Sequence, residues 1–222
     1  MSSFNDFIQK DINNKSPELK VIGIGGSPRK GGNSDLILKQ ILKGVAENKT
    51  LAENLQLRDF QYQGCIGCER CRKDKICTGL KDGMSLIYPD ILQSQGLVLV
   101  SPTHNYNVTS WMKAFIDRLY CFYEFDNNCP RGWSSHLAGQ GRKAVLGAIC
   151  EQENIKDMGF TLDAMRLPLE ALGYEIIGEL AVFKIFDKAK VKGEKAVLMN
   201  ATKLGSDLAK SLLNQQVTRH GV

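Results

Sequence analysis

The 222-residue sequence predicts an α/β fold, a doubly wound five-stranded parallel sheet with helices on both faces, and three observations predict it. Short apolar runs alternate five times with segments of helical periodicity. The run Leu97 to Val100 is apolar throughout, as a parallel strand buried on both faces must be. A glycine-rich stretch, Gly25 to Ser34, joins the first apolar run to the first helical segment. Because parallel strands need crossover connections, such alternation lays helices over both faces and leaves ligands at the carboxyl ends of the strands.

In chain order, residues 1–18 read as an extension, polar around Pro17 with a weak apolar pattern at Phe4, Phe7, Ile8 and Ile12. The domain itself is expected over 19–222, with an inserted cysteine segment at 64–78. The first strand is Lys20 to Ile24. A helix follows from an Asn33 or Ser34 cap to about Ala46, with Ile37, Leu38, Ile41, Leu42 and Val45 on one face. The second strand is expected near Leu55 to Arg58. After the cysteines comes a helix at about Met84 to Gln93, which Pro89 must kink or shorten. The third strand, Leu97 to Val100, leads through the loop Ser101 to Val108. A longer helix then carries Trp111, Met112, Phe115, Ile116, Leu119, Phe122 and Tyr123 at helical spacing. Strand four is Ala144 to Ile149. A helix from about Phe160 to Gly173, kinked or split by Pro168, precedes strand five, Tyr174 to Phe183, and a last helix runs from Glu194 to Leu213.

At 43% hydrophobic content the chain is long enough to bury one sizeable core. The net charge of +5 is spread along it, with one local basic group at Arg70, Arg72, Lys73 and Lys75 and no long basic stripe interleaved with aromatics, so nucleic acid is not an expected partner. No apolar run approaches the roughly 18–20 residues of a membrane span, and the first twenty residues lack the apolar core of a signal peptide. A cytoplasmic location without a membrane is expected. Seven cysteines, an odd number, argue against a disulfide framework there, and four of them crowd into one segment.

The stretch Gly25 to Ser34 suits a phosphate: its glycines accept positive φ, Ser27 and Ser34 offer hydroxyls, Arg29 offers a planar fork, and the first helical N–H groups point back into the loop. A triphosphate loop of the Walker kind needs Lys then Ser or Thr after its second glycine, whereas Gly31 is followed by Gly32 and Asn33. The dinucleotide fingerprint fails where Gly23-x-Gly25-x-x ends in Pro28. What remains fits a phosphate monoester, such as the one that ends flavin mononucleotide, bound by hydrogen bonds and one guanidinium. An ordinary glycine-rich turn is the competing reading.

Cys65, Cys68, Cys71 and Cys77 spell C-x2-C-x2-C-x5-C within thirteen residues. Three thiolates at that spacing can curl round one face of a cubane and the fourth can reach the remaining iron, which favours a [4Fe–4S] cluster. Zinc, disulfide chemistry and inert thiols are the alternatives. The basic group around Arg70 either offsets the charge of a thiolate-ligated cluster or is a solvated loop. Cys121, Cys129 and Cys150 are scattered. Ser101 to Val108 leaves a central strand at the edge where the phosphate loop opens. Its backbone amides, with Thr103 and Asn105, suit the polar edge of a flavin ring and Tyr106 suits its face, the competing reading being a polar loop with a structural tyrosine. His104 reads as a proton donor or a loop hydrogen-bonder. Cys150, Glu151 and Gln152 leave strand four toward the same mouth. Because the cysteine segment follows strand two, cluster and flavin are expected to share that edge of the sheet.

Three segments together, GSPRKGGNSD at 26–35, CIGCERCRKDKIC at 65–77 and SPTHNYNVTSWMKAFIDR at 101–118, carry a family resemblance. Over about Lys20 to Lys184 the sequence resembles the iron–sulfur flavoprotein group within the flavodoxin-like NAD(P)H-dependent FMN reductase family. The resemblance implies a strand order of 2-1-3-4-5, FMN held by the first and third segments, and a homodimer or homotetramer. It assigns phosphate contacts to Ser27, Arg29, Asn33 and Ser34, ring contacts to Pro102, Thr103, His104, Asn105, Tyr106 and Asn107, and cluster ligation to Cys65, Cys68, Cys71 and Cys77. It assigns no catalytic residue. The function then expected is a relay of electrons between a carrier such as ferredoxin, or NAD(P)H, and an acceptor, through a [4Fe–4S] cluster and FMN. Two other functions compete: an NAD(P)H-dependent FMN or quinone reductase without a cluster, and a redox-sensing interaction protein.

Overall fold

The structure, a computed structural model, describes residues 19–220, so the extension expected at 1–18 lies outside the described residues. Five strands, β1 (Lys20–Gly25), β2 (Leu51–Gln56), β3 (Gly96–Pro102), β6 (Lys143–Ile149) and β7 (Glu175–Val182), form one parallel sheet in the order β2-β1-β3-β6-β7. Counting these strands alone, this is the 2-1-3-4-5 order implied by the resemblance. The two strands between β3 and β6, β4 (Tyr123–Phe125) and β5 (Trp133–Ser135), pair antiparallel as a separate hairpin.

Alternation along each strand divides the core. Ile22, Ile24, Leu97, Leu99 and Leu146 face one layer with Met84, Ile87 and Ile91 of α3 (Met84–Gln93), Met112 and Phe115 of α4 (Ser110–Arg118), and Met165 and Leu169 of α6 (Asp163–Ala171). Val21, Val98, Val100 and Val145 face the other, with Ile37, Ile41 and Val45 of α1 (Asn33–Ala46) and Ala201, Leu208 and Leu212 of α7 (Lys195–His220). Each such side chain contributes about 1.5–3 kcal/mol on leaving water, so the two faces together outweigh any single loop contact. Among the described residues no helix is long and apolar enough to cross a membrane.

Several elements differ from their sequence expectation for identifiable reasons. β2 starts upstream of the expected Leu55 and ends at Gln56 because it is an edge strand with no buried residue, whose Glu53 and Asn54 mask the apolar signal, while Leu57 to Asp59 form a 3-10 turn. The helix from Ser110 stops at Arg118, and Leu119 to Phe122 tighten into a 3-10 turn that feeds β4. α6 begins at Asp163 rather than Phe160, after the single turn α5 (Ile155–Met158). The first helix is capped by Gly32, with no side-chain cap, and not by Asn33 or Ser34. α3 runs through Pro89, which withholds one N–H from the helix.

Candidate functional site

Two cavities hold the residues that carry chemistry. The first, about 140 Å³, opens at the carboxyl ends of β1, β3, β6 and β7 and is lined by Ser27, Arg29, Asn33, Ser34, Pro102, Thr103 and His104, together with Glu151, Phe186 and Lys188. Its floor is the loop from β1 into α1, where Gly31 adopts φ +69, a left-handed conformation that favours glycine. The loop is held by a guanidinium: Arg58 donates through Nη1 to the Ser27 carbonyl at 2.9 Å and forms a two-pronged pair with Asp35 at 2.9 and 2.8 Å. Asp35 Oδ2 in turn accepts the Gly31 amide at 2.7 Å, and Ser27 Oγ accepts the Arg29 amide at 3.2 Å. The first-turn amides of α1, with no helical partners, complete an anion-favouring end. Replacing Arg58 by Ala is expected to lower the unfolding free energy by about 2 kcal/mol, since a charged pair and a carbonyl contact are lost together. Urea denaturation of parent and variant measures this, and equal midpoints would count against the role.

The side chain of Asn33 is engaged within the protein. Its Nδ2 donates to the Asp187 carbonyl at 2.9 Å and its Oδ1 accepts the Val191 amide at 3.1 Å, so both polar atoms clamp the loop between β7 and α7 against the cavity. The same loop delivers Lys188, whose Cε passes close to Gly31, and Phe186, over whose ring the Arg29 guanidinium lies at 4.8 Å. Sequence reasoning missed Lys188 and Phe186, because nothing local to residues 184–190 marks them as neighbours of Arg29. Glu151, placed there by topology alone, does line the cavity.

The loop after β3 has spent most of the amides expected for a flavin edge. Thr103 N bonds the Ile149 carbonyl, His104 and Asn107 exchange backbone hydrogen bonds, and Val108 N bonds Asn107 Oδ1. The Thr161 hydroxyl donates to the Met158 carbonyl, so the Thr103 hydroxyl is the donor in the 3.0 Å contact between the two threonines. Asn105 and Tyr106, at φ 49 and 64, are consecutive left-handed residues, and their amides make no bond to the protein among the described residues. Asn105, Tyr106 and Asn107 stand beyond the cavity lining, with the Tyr106 ring more than half exposed.

The second cavity, about 390 Å³, is lined by all four of Cys65, Cys68, Cys71 and Cys77, with Asp117, Arg118 and Tyr120. Its segment is tied down at entry by Tyr62 Oη donating to the Trp111 carbonyl at 2.6 Å. Left-handed residues, Gly67, Glu69 and Lys75, turn the chain about the short helix α2 (Arg70–Asp74), which carries Cys71 inward. A Cβ on Gly79 would meet Cys68 Sγ at 2.3 Å, so a side chain there would drive into the sulfur. Burial, and then the neighbouring thiols of Cys77, Cys65 and Cys68, push the Cys71 thiol up, as expected of four sulfurs within electrostatic reach of one another. Burial likewise pushes the Cys121 thiol up to about 12. Among the described residues no group of three His, Cys, Asp or Glu side chains forms a set for a single metal ion.

Of the basic group flanking the cysteines, Arg72 bonds Tyr120 Oη and Glu69 and lies over the Phe125 ring, and Lys75 pairs with Glu124. The cation that lines the cavity, beside the carboxylates of Glu69 and Asp117, is Arg118, whose fork grips Asp82 at 2.7 and 3.0 Å and reaches the Gln63 carbonyl at 3.0 Å. No residue lines both cavities: Thr109, the N-cap of α4, donates to the Gly26 carbonyl of the glycine-rich loop, and α4 ends at Arg118 on the cysteine cavity. The nine residues of α4 span about 13 Å.

An iron-sulfur flavoprotein of Methanocaldococcus jannaschii is 34% identical over 100 residues, 45% of this chain and 51% of that one. An iron-sulfur flavoprotein of Archaeoglobus fulgidus is 29% identical over 195 residues, 87% of this chain and 80% of that one. The chain thus spans about half the length of the first relative and most of the second. Among solved structures, an NAD(P)H:quinone oxidoreductase from Methanothermobacter marburgensis shares the fold with a TM-score of 0.64 at 15% identity, over 86% of this chain and 99% of that one. The profile of the family described as NADPH-dependent FMN reductase matches residues 19–139, a span that includes the phosphate loop, all four clustered cysteines and the loop after β3, and the chain belongs to that family.

Proposed function

We propose that the chain is an FMN-dependent oxidoreductase that passes electrons between a donor, either a nicotinamide or a one-electron carrier such as a ferredoxin, and an acceptor, with a [4Fe–4S] cluster on Cys65, Cys68, Cys71 and Cys77. The observation that carries this reading is that all four cysteines line one cavity, one helix length from a loop built for an anion. When bound, FMN supplies electron exchange singly or in pairs and a cluster supplies it singly.

The residues fit both groups. A phosphate monoester meets the first-turn amides of α1, the hydroxyls of Ser27 and Ser34, and two cations, Arg29 and Lys188, that line the same cavity. The unspent amides of Asn105 and Tyr106 are donors for the polar edge of the ring, and Asn33 acts by clamping the loop that delivers Lys188. At the other cavity, Gly79 leaves room beside Cys68, and Arg118 sets a buried positive charge against the thiolates. Tyr106 and Phe160 are exposed beside each other at the flavin mouth, joined by the bond from Phe160 N to the Tyr106 carbonyl, and a second copy of the chain covering them fits a homodimer or homotetramer. The odd count of free cysteines suits the reducing cytoplasm.

Anaerobic purification followed by iron, acid-labile sulfide and flavin analysis tests the reading. The expected result is FMN stoichiometric with the chain, and iron and sulfide in equal amounts. FMN without iron or sulfide would reduce the function to a nicotinamide-dependent flavin or quinone reductase. Absence of turnover with every common donor and acceptor would point to a redox-sensing interaction protein instead.

A further inference from the structure

The side chain of Arg118 is 1% exposed, and its two terminal nitrogens are committed to Asp82 and the Gln63 carbonyl. Its Nε is buried with no hydrogen-bond partner. Buried N–H groups are almost always paired, so an orphan asks for an acceptor that is absent from the protein itself. Arg58 and Arg72 also carry such a nitrogen, but of the three only Arg118 lines the cysteine cavity, while its partner Asp82 does not. Of the ion pair, the arginine is thus the member at the cavity, whose wall also carries the carboxylates of Glu69 and Asp117.

We propose that Arg118 is the positioning residue of the cysteine cavity: its Nε–H donates to a sulfur of the bound cluster, and its charge raises the cluster's reduction potential. The inference rests on the cluster reading above. Reduction adds one electron, and hence one negative charge, to a thiolate-ligated cluster without requiring a proton. A buried cation and an N–H···S bond both favour the more negative state, since hydrogen bonds to sulfur and local charge are the protein's means of tuning such potentials. Asp82 keeps the guanidinium in place and, by accepting the Gln63 amide at 3.3 Å and the Met84 amide at 3.2 Å, fixes the start of α3 and the entry to the cysteine segment together.

The test uses full-length protein purified anaerobically, with iron and sulfide measured first on the parent and the midpoint then followed by electron paramagnetic resonance during titration with dithionite. Two variants are compared, Arg118→Lys and the double change Arg118→Met with Asp82→Asn, which removes both charges and leaves no unpaired carboxylate. At the parent's midpoint the double variant is expected to hold iron but to show an oxidised-to-reduced ratio at least tenfold higher, a fall of 59 mV for one electron. Arg118→Lys, which keeps the charge and loses the Nε donor, is expected to fall in between. An unchanged ratio in the iron-loaded double variant overturns the inference. Should that variant hold no iron, Arg118→Lys decides, a several-fold rise supporting the inference and no rise overturning it. A parent without iron and sulfide overturns the cluster reading itself, a different failure that is seen before any variant is made.

Discussion

Replacing any one of Cys65, Cys68, Cys71 or Cys77 by Ser is expected to strip iron and acid-labile sulfide from anaerobically prepared protein, while the same change at Cys121, Cys129 or Cys150 leaves both in place. The four lie around one cavity, and a cubane that loses one thiolate must shed that iron or find another ligand. The other three have different surroundings. Cys121 is buried and donates to the Arg118 carbonyl at 3.5 Å, Cys150 is buried at the end of β6, and Cys129 is exposed on the hairpin between β4 and β5. FMN content is expected to survive all seven changes, because no cysteine lines the phosphate cavity. Stoichiometric zinc without sulfide in the parent would end the cluster reading.

Changing Arg29 to Ala, and separately Lys188 to Ala, is expected to weaken FMN binding by roughly ten- to a hundredfold and to leave riboflavin binding nearly unchanged. A lost charge-assisted hydrogen bond is worth about 1.5–3 kcal/mol, and each 1.4 kcal/mol is about a factor of ten. Riboflavin lacks the phosphate and so never makes the contact. Arg29 stands ready for it, its guanidinium stacked on the Phe186 ring and only weakly tied to the Phe186 carbonyl at 3.3 Å. Fluorescence quenching titrations of flavin-free protein with the two flavins measure the effect. Equal affinity of the parent for FMN and riboflavin would show that the loop does not recognise the phosphate.

Both predictions join residues that the sequence displays to residues that it hides. Local order was legible wherever a signal repeats over a few residues. β1 and β3 announce themselves as unbroken apolar runs because both faces are covered, and α1 does so through the spacing of Ile37, Leu38, Ile41, Leu42 and Val45. The edge strand β2 and the hairpin of β4 and β5 were missed or shifted, since three-residue strands and half-exposed edges carry too few buried positions to form a pattern. In the site, the spacing of Cys65, Cys68, Cys71 and Cys77 made them a set before any fold was known, because residues so close along the chain must share a neighbourhood.

The sequence by itself therefore determined the α/β class, the glycine-rich loop between the first strand and helix, and the membership of the cysteine set. Only the tertiary structure decided what these groups face. Asn33, in a run that reads as phosphate ligands, spends both polar atoms on a loop more than 150 residues away. Lys188 joins Arg29 at one cavity, and Arg118, paired with Asp82, lines the other, while Arg72 and Lys75 pair with Glu69 and Glu124. The physical reason is the same in each case: composition and spacing say which donors and charges are available, whereas long-range packing says which of them are already spent on partners and which are left, buried or poised, for a ligand.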